Sequence, residues 1–420
     1  MRKRPERLLC SRQTNTVTYQ PFSMSKLNLP VSLWEGFTSE QTQLDNNILT
    51  IQLTPTSAGR CRCGREVSLV HDVTPRLVRE CSILDYRVLL RVPIRRLRCC
   101  CCGVGTEVIS WLQPRARLTN RYIHQLEQLL RLMPIQHVVQ LSGLHWHTLK
   151  QLDKQRLARS VSEPDWSKLR RLVMDEFALF KGHRYATVIA DAETHQVLWV
   201  GEGRSREAVR PFFIQLGEHC AQIEAVAMDM NTAFDLEVKA HCPQAEVVYD
   251  LFHVVAKYGR EVIDRVRVDR ANELKTDPQR RRRVKRGRWV LLKNRDNMTS
   301  QQHTYLDELL AENRSLMVVY LLREQLKELW YASSRDAALE AWALWWQQVK
   351  ESGIAPLIHF ARKLKPYLEG IISSACYRLH TCRLEGMNNK IKVIKRMAYG
   401  YRDCAYFFLK IRDAFPGKPR

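Results

Sequence analysis

Short apolar runs separated by amphipathic stretches fill the chain between residues 169 and 250. Five runs have the length of strands and are bounded by turn residues, which predicts buried strands at 172–175, 185–190, 196–200, 223–228 and 246–249. Between them, the stretch 205–220 repeats apolar residues at i, i+3, i+4 and i+7, which predicts a helix, and a second helix is predicted near 232–241. The predicted order is therefore β-β-β-α-β-α-β.

Helical periodicity follows the last of these strands and continues from 251 to about 379. Because that segment is far too long for a loop, it predicts a helical domain inserted into the α/β domain, with a helix at 383–398 returning to the sheet. Residues 1–50 are polar and weakly patterned. The predicted domains are a leader at 1–50, a cysteine-rich module at 51–110 and a helical region at 111–160. They are followed by the first part of the α/β domain at 165–254, the insertion at 255–375 and the last part of the α/β domain at 376–420.

The composition is strongly basic, with 67 Lys+Arg against 44 Asp+Glu and a formal charge of +23 over 420 residues. Such a charge favours a polyanionic partner, most often nucleic acid. A ribosome-like or membrane-surface protein is the alternative, but long apolar-patterned segments argue against a mere basic tail. No apolar run approaches the 18 residues of a membrane span, and no apolar signal core follows the charged start. The sequence therefore predicts a cytoplasmic protein with no membrane partner.

Three acidic residues lie where separate predicted elements could bring them together. Asp175 and Asp229 end apolar runs, and Glu385 lies in a basic, helix-periodic stretch. Three such carboxylates are what two Mg²⁺ ions need to clamp a phosphodiester during in-line displacement. Acids that close the first and fourth strands in this element order are typical of the RNase H-like fold. No glycine-rich phosphate loop is present in the sequence, so ATP use is not indicated.

Asp250 and His253 follow the fifth predicted strand directly. Their i, i+3 spacing would place them on one helix face near the three acids, as support for an active site. A hydrogen-bonded Asp–His pair in the core would have the same spacing, so both interpretations stand.

A cysteine-rich segment offers two close pairs about 35 residues apart, with a glycine near each pair. Four thiolates in that arrangement suit a tetrahedral structural Zn²⁺, with the ligands Cys61, Cys63, Cys99 and Cys102. The first pair has C-x-C rather than the usual C-x2-C spacing, and Cys100 or Cys101 could replace one ligand. We expect a module of this size to have little core of its own, so that loss of zinc would unfold it.

Residues 134–154 predict a helix, a glycine-containing turn and a second helix. As a helix-turn-helix, its second helix would enter the DNA major groove and offer as contacts His145, His147, Lys150, Gln151 and Lys154. An ordinary helical hairpin would have the same pattern. Phosphate contacts are predicted in the run 280–289 and on the last helix, by Arg281, Arg282, Arg283, Lys285, Lys392 and Arg396, although solvated charges on a helix would also fit.

With these residues in place, the chain closely resembles the ISL3 family of bacterial insertion-sequence transposases from about Cys61 to its end. The segments that carry the resemblance lie in the family's order and spacing, at 174–185, 228–230, 249–253, 287–293, 384–392 and 398–402. One departure is the C-x-C half of the zinc site, where the family usually has C-x2-C.

The resemblance implies a DDE triad of Asp175, Asp229 and Glu385 in an RNase H-like domain with a large all-α insertion, preceded by a small zinc-binding module and a helix-turn-helix. Asp250 and His253 match an Asp-x-x-His signature of related transposases. The resemblance further implies a nucleoid-associated DNA transposase that binds terminal inverted repeats and target DNA as a homo-oligomer. Two Mg²⁺ ions would serve cleavage and strand transfer. A structure-specific nuclease on the same fold and a non-catalytic, transposase-derived DNA-binding regulator are the rivals.

Overall fold

The computed structural model describes residues 33–180, 182–379 and 382–419, except the side chains of 382–385. Most of the predicted leader therefore lies outside the described residues. The chain divides into two compact units, residues 1–129 and 130–420. The first unit consists mainly of β-strands, and the second combines a sheet with many helices. The chain as a whole confirms the predicted multidomain α/β class.

The first unit is built on a five-stranded sheet of order β1-β2-β6-β5, with β7 pairing to β6. Its strands, with a separate two-stranded ribbon of β3 and β4, are β1 (Phe37–Asp45), β2 (Ile48–Pro55), β3 (Gly59–Arg60), β4 (Glu66–Val67), β5 (Val70–Arg79), β6 (Arg87–Cys99) and β7 (Gly103–Thr106). The β1–β2 hairpin turns at Asn46 and Asn47, both with positive φ, as a two-residue hairpin turn requires. Part of the predicted leader thus belongs to the sheet.

One face of this sheet buries a hydrophobic core of its own. Burial alternates along β2 and β6, and the core side chains come from several strands, including Ile51, Leu53, Val78, Leu90 and Val92. The premise that this module has little core is therefore wrong. This core is hard to recognise in the sequence because its apolar residues alternate with polar ones along single strands, so no long apolar run marks them.

Three helices precede the second sheet in the chain. They are α1 (Asn120–Leu132), α2 (Ile135–Ser142) and α3 (Trp146–Ser160). Gly143 ends α2 in the left-handed conformation with φ 67°, and the His145 side chain caps α3 by accepting from the His147 amide. The structure thus has a helix, a turn at Gly143 and a second helix within residues 134–160.

The second sheet has the order β10-β9-β8-β11-β12. The first three of its strands in the chain are antiparallel neighbours, and the last two run parallel to β8. The strands and their connecting helices are β8 (Arg171–Phe180), β9 (Arg184–Asp191), β10 (Val197–Glu202), α4 (Arg206–Leu216), β11 (Ala225–Met228), α5 (Thr232–His241) and β12 (Glu246–Tyr249). This is the element order that the sequence predicts.

Helices then fill the chain from residue 251 onward, as predicted. They are α6 (Leu251–Tyr258), α7 (Asp264–Glu273), α8 (Pro278–Arg286), α9 (Arg288–Leu292), α10 (Ser300–Ala311), α11 (Arg314–Glu328), α12 (Arg335–Glu351), α13 (Ala355–Leu364), α14 (Leu368–Tyr377), α15 (Cys382–Met397) and α16 (Cys404–Ala414). Among the described residues, no helix is long and apolar enough to cross a membrane.

The two faces of the second sheet pack against different helices. Met174 and Met228 belong to a core shared with α4, α5 and the helices α6–α14. Val173 and Ala227, their neighbours in sequence, belong to a second core with residues of α15 and α16, including Ile391. The alternation of side chains along a strand thus separates the two layers and leaves α15 on the sheet face opposite the insertion.

Candidate active site

Asp229 and Asp250 lie at the carboxyl ends of parallel strands, and Asp175 lies within the neighbouring strand. The prediction that Asp175 ends its strand is wrong, because β8 stays paired with β9 as far as Phe180. Ala227 of β11 is opposite Val173 of β8, and Met228 is opposite Tyr249 of β12. Asp229 and Asp250 directly follow β11 and β12, while Asp175 lies two residues beyond Val173. This register places Asp175, Asp229 and Asp250 side by side on neighbouring strands.

Asp175 is half-buried, and burial raises the pKa of its carboxyl group to about 6. The nearby Asp229 carboxylate also raises this pKa, whereas the Glu176 amide, His253 and Asn388 lower it. The Glu176 amide donates to Asp175 Oδ1 at 2.7 Å, and Asn388 Nδ2 donates to Asp175 Oδ2 at 2.6 Å. A proton or a cation is therefore favoured at this carboxylate.

Asp229 is held by its own turn and by a histidine. The Met230 amide donates to Asp229 Oδ1 at 2.6 Å, and His253 Nδ1 lies 3.3 Å from Asp229 Oδ2. The other ring nitrogen, His253 Nε2, lies 3.8 Å from Asp250 Oδ2. Asp250 caps α6 by accepting from the Phe252 amide. His253 thus stands between two acids of the site, rather than forming an isolated pair in the core.

Glu385 lies on the helix that covers this region. Its backbone is in α15, and its side chain lies outside the described residues. Met387 and Ile391 of α15 pack into the core under the sheet, which fixes the helix against it. Asn388, three residues after Glu385, reaches Asp175 directly. The structure therefore brings α15 to Asp175.

Asn388 is the site residue that the sequence interpretation missed. Its side chain is 9% exposed, and among the described residues no partner meets its buried Oδ1. Its i, i+3 spacing from Glu385 was a signal that could have found it, because such residues share a helix face. The Asn388 Oδ1 atom is a hard oxygen donor, the type that Mg²⁺ and Mn²⁺ prefer.

The cysteines predicted as zinc ligands come together in the first unit. Their Sγ atoms all lie within 4.8 Å of one another, in the set Cys61, Cys63, Cys99 and Cys102. The first two lie in a turn closed by a bond from the Gly64 amide to the Cys61 carbonyl, with Gly64 at φ 87°. Amides of the turn after β6 lower the pKa of Cys99 to about 6, which favours the thiolate that a metal needs.

A second cysteine group overlaps the first. Cys99, Cys100 and Cys101 also meet the distance for a shared ion, but the last two side chains are exposed. The four-cysteine set supplies the coordination number of a structural zinc site, whereas the three-cysteine set does not.

The predicted DNA contacts of α3 divide into two groups. His145, His147 and Gln151 are exposed. Lys150 and Lys154 instead pair with Asp403, at 2.8 and 3.3 Å. The periodicity could not show this, because Asp403 is about 250 residues away in sequence.

The cations predicted elsewhere are also of two kinds. Arg282 and Lys285 of α8, like Lys392 and Arg396 of α15, are exposed. Arg283 is held by Glu308 and Glu312, both at 2.7 Å, and Arg281 donates to the Ala271 carbonyl at 3.1 Å. The last two side chains thus stabilise the helical insertion.

Comparison with known proteins gives consistent results. The ISL3 family model, described as a transposase, matches residues 172–411, which is more than half of the chain. The chain is 53% identical over 394 residues to the transposase for insertion sequence element IS1001 of Bordetella parapertussis, covering 92% of this chain and 97% of that protein. It is 27% identical over 372 residues to the transposase for insertion sequence element IS1557 of Mycobacterium tuberculosis, covering 82% of each.

A solved structure, the Drosophila P element transposase strand transfer complex, is similar at a TM-score of 0.35 and 10% identity, covering 70% of this chain and 90% of that one. The family match and the 53% identical relative confirm the resemblance found in the sequence. The chain belongs to the ISL3 family of insertion-sequence transposases.

Proposed function

We propose that this transposase cuts and joins DNA with a DDE triad of Asp175, Asp229 and Glu385 that holds two Mg²⁺ ions. The observation that carries the proposal is the meeting of Asp175 and Asp229 on neighbouring parallel strands, with α15 attached to Asp175 through Asn388. Two divalent ions, when bound, would polarise the phosphodiester and stabilise the attacking and leaving oxygens.

The residues of the chain would place those ions and orient the carboxylates that bind them. The pKa of Asp175 is raised mainly by burial, a cost that a divalent cation would offset. His253 Nδ1 and the Met230 amide fix the orientation of Asp229. His253 also faces Asp250, so one imidazole ring contacts two carboxylates of the site.

An RNase H-like domain is the fold that best accommodates these features. Three antiparallel strands followed by two parallel ones, with a helix of the last segment on one face, support this proposal. The helices α6–α14 would be an insertion between the second and third acids of the triad. Asp250 and His253 would then be support residues rather than members of the triad.

The N-terminal part of the chain would recognise the ends of the element. We propose that Cys61, Cys63, Cys99 and Cys102 hold a structural Zn²⁺ and that α2 and α3 form a DNA-binding helix-turn-helix. His145, His147 and Gln151 are the contacts that remain exposed on α3, whereas Lys150 and Lys154 are already paired with Asp403. Terminal inverted repeats and target DNA in the bacterial nucleoid would be the partners, and a homo-oligomer would hold two ends together.

The test is a strand-transfer assay with the full chain. Purified protein is incubated with Mg²⁺ and DNA that carries the element's ends, and the products are separated by length and strand. Cleavage followed by joining to target DNA is expected. Cleavage without joining would indicate the rival nuclease, and binding without cleavage would indicate a regulator that has lost its activity.

A further inference from the structure

A groove of about 930 Å³ lies within the second unit, beside the helix that carries Glu385. One wall comes from the end of α1, the start of α2 and the first turn of α3, including Trp146. The other wall comes from the last turns of α15, the loop to α16 and α16 itself. Its volume is in the upper part of the range of ligand pockets, about 300–1,000 Å³.

The loop between α15 and α16 holds a tyrosine in an unfavourable conformation. Tyr399 has φ 55°, its amide donates to the Arg396 carbonyl, and the Gly400 amide donates to the Lys395 carbonyl. This is the Schellman pattern, which places Tyr399 where glycine is the usual residue. A bulky side chain in the left-handed region costs conformational energy and is therefore a hint of function.

The aromatic ring of Tyr399 contributes little to folding. Its side chain is 86% exposed, so burial does not offset the strain of the backbone. Across the groove, Trp146 is 38% exposed although tryptophan is usually well buried. Both rings line the same groove and are open to a ligand.

The charge of the groove favours an anion. Its lining includes six cationic residues and two acidic ones, Asp403 and Asp413. Both acids are already paired, Asp403 with Lys150 and Asp413 with Arg156. Within the described part of the chain, no hydrogen bond or ion pair is formed by the Arg131 or Arg402 side chain, which leaves these two cations available.

We propose that this groove binds unpaired nucleotides of the DNA substrate, with a base stacked on Tyr399 and phosphates at Arg131 and Arg402. Exposed aromatic rings beside unpaired cations are the chemistry that binds single strands, since every base has a face to stack. A base pair inside a duplex cannot stack on a side chain without leaving its helix. This inference rests on the proposed DNA cleavage and adds an unpaired segment to its substrate.

The position along α15 fits a segment close to the cleavage site. Asn388 contacts Asp175, and Tyr399 lies eleven residues further on, which at the rise of a helix is about 17 Å away. A strand that leaves the acids along α15 would therefore reach the groove within roughly five nucleotides, at about 3.4 Å per nucleotide. The groove would hold a strand end opened beside the cut.

The test compares single-stranded and duplex DNA on the full chain. Affinities for a 20-nucleotide strand and for the same sequence as a duplex are measured by anisotropy, with 2-aminopurine reporting stacking by its quenching. Tyr399→Ala and Tyr399→Gly are expected to weaken single-strand binding about five- to a hundredfold, the loss of one base–aromatic stack, and to change duplex binding less than twofold. Tyr399→Phe is expected to bind as the wild type does.

Tyr399→Gly separates this role from folding, because glycine relieves the strain while removing the ring. Its thermal midpoint is expected to equal or exceed that of the wild type. Tyr331→Ala, which removes an exposed ring of the insertion, is the matched control and is expected to leave both affinities unchanged. The inference is wrong if Tyr399→Gly binds the single strand normally, or if its single-strand and duplex affinities fall together.

Failure of the inference and failure of the proposed function are distinguishable. If the wild-type protein joins ends in Mg²⁺ but Tyr399 substitutions do not change single-strand binding, only the inference about the groove is wrong. Wild-type protein that binds single strands through Tyr399 but neither cuts nor joins the element's ends would overturn the proposed function and leave the groove's ligand assigned.

Discussion

The acids of the second unit and the cysteines of the first are the two sets of metal ligands that we propose, yet the chain supports them differently. Asp175 and Asp229 stand on adjacent parallel strands whose side chains on both faces are buried. Cys99 ends β6 and the other three cysteines lie in or beside turns, next to a sheet whose core is made by other residues.

This difference indicates which of the two sites needs a metal ion to keep its side chains in place. Rigid strands hold the carboxylates in place without an ion, at the cost of keeping like charges close in a buried setting, as the pKa of Asp175 reflects. Turns of three or four residues have few contacts of their own, so an ion would have to hold the thiolates together. We therefore expect metal removal to stop chemistry at the acids without unfolding, and to loosen the cysteine turns without losing the sheet.

Substitution of a triad acid is expected to have the largest effect. Asp175→Asn, Asp229→Asn or Glu385→Gln should each lower DNA cleavage at least about a thousandfold, because one charge of the two-metal clamp is lost. Binding to the element's ends, measured by gel shift, should stay within a fewfold of the wild type. Substantial cleavage by any of these variants, in Mg²⁺ or Mn²⁺, would remove that residue from the triad.

Asn388→Ala is expected to cause the next largest effect. Loss of the hydrogen bond to Asp175 should weaken Mg²⁺ binding at the active site. The Mg²⁺ concentration for half-maximal cleavage rate should rise about 10- to 100-fold, as for other residues that orient metal ligands. Asn389→Ala changes an exposed neighbour on the same helix and should leave that concentration unchanged. Equal behaviour of the two variants would show that Asn388 does not position Asp175.

The metal-free stability should depend on pH through Asp175. Its folded-state pKa of about 6 exceeds the ordinary value of 3.8, so the folded protein binds this proton more tightly than the unfolded chain. The free energy of unfolding should therefore fall as pH rises from about 4 to about 6. At pH 8 without metal, Asp175→Asn should be more stable than the wild type by roughly 1–3 kcal/mol, and at pH 3.5 the difference should vanish. Denaturant titrations at the two pH values measure this.

The smallest effect on folding is expected at the cysteines. Replacing Cys63 together with Cys102 by serine should remove about one zinc per chain, measured by metal analysis. The sheet should remain, seen as an unchanged far-ultraviolet spectrum, because its core does not include these side chains. Cys100→Ser with Cys101→Ser, the exposed pair beside the site, should keep the zinc. Loss of zinc from this second variant would assign the ion to the overlapping group.

Much of this architecture could be predicted from the sequence because burial leaves a local pattern. The strands around Asp175 and Asp229, the helices after residue 251 and the turn at Gly143 follow from apolar spacing and glycine placement. The four cysteines could be selected because thiolates at close spacing have few other uses in a large chain.

Tertiary structure decided which of these side chains meet. Asn388 reaches Asp175 across 213 residues, and Lys150 meets Asp403 rather than remaining exposed on α3. The core of the first unit and the groove beside Tyr399 are likewise products of packing between distant segments. Local periodicity records which face of an element is buried, but the identity of the group that covers this face depends on the whole fold.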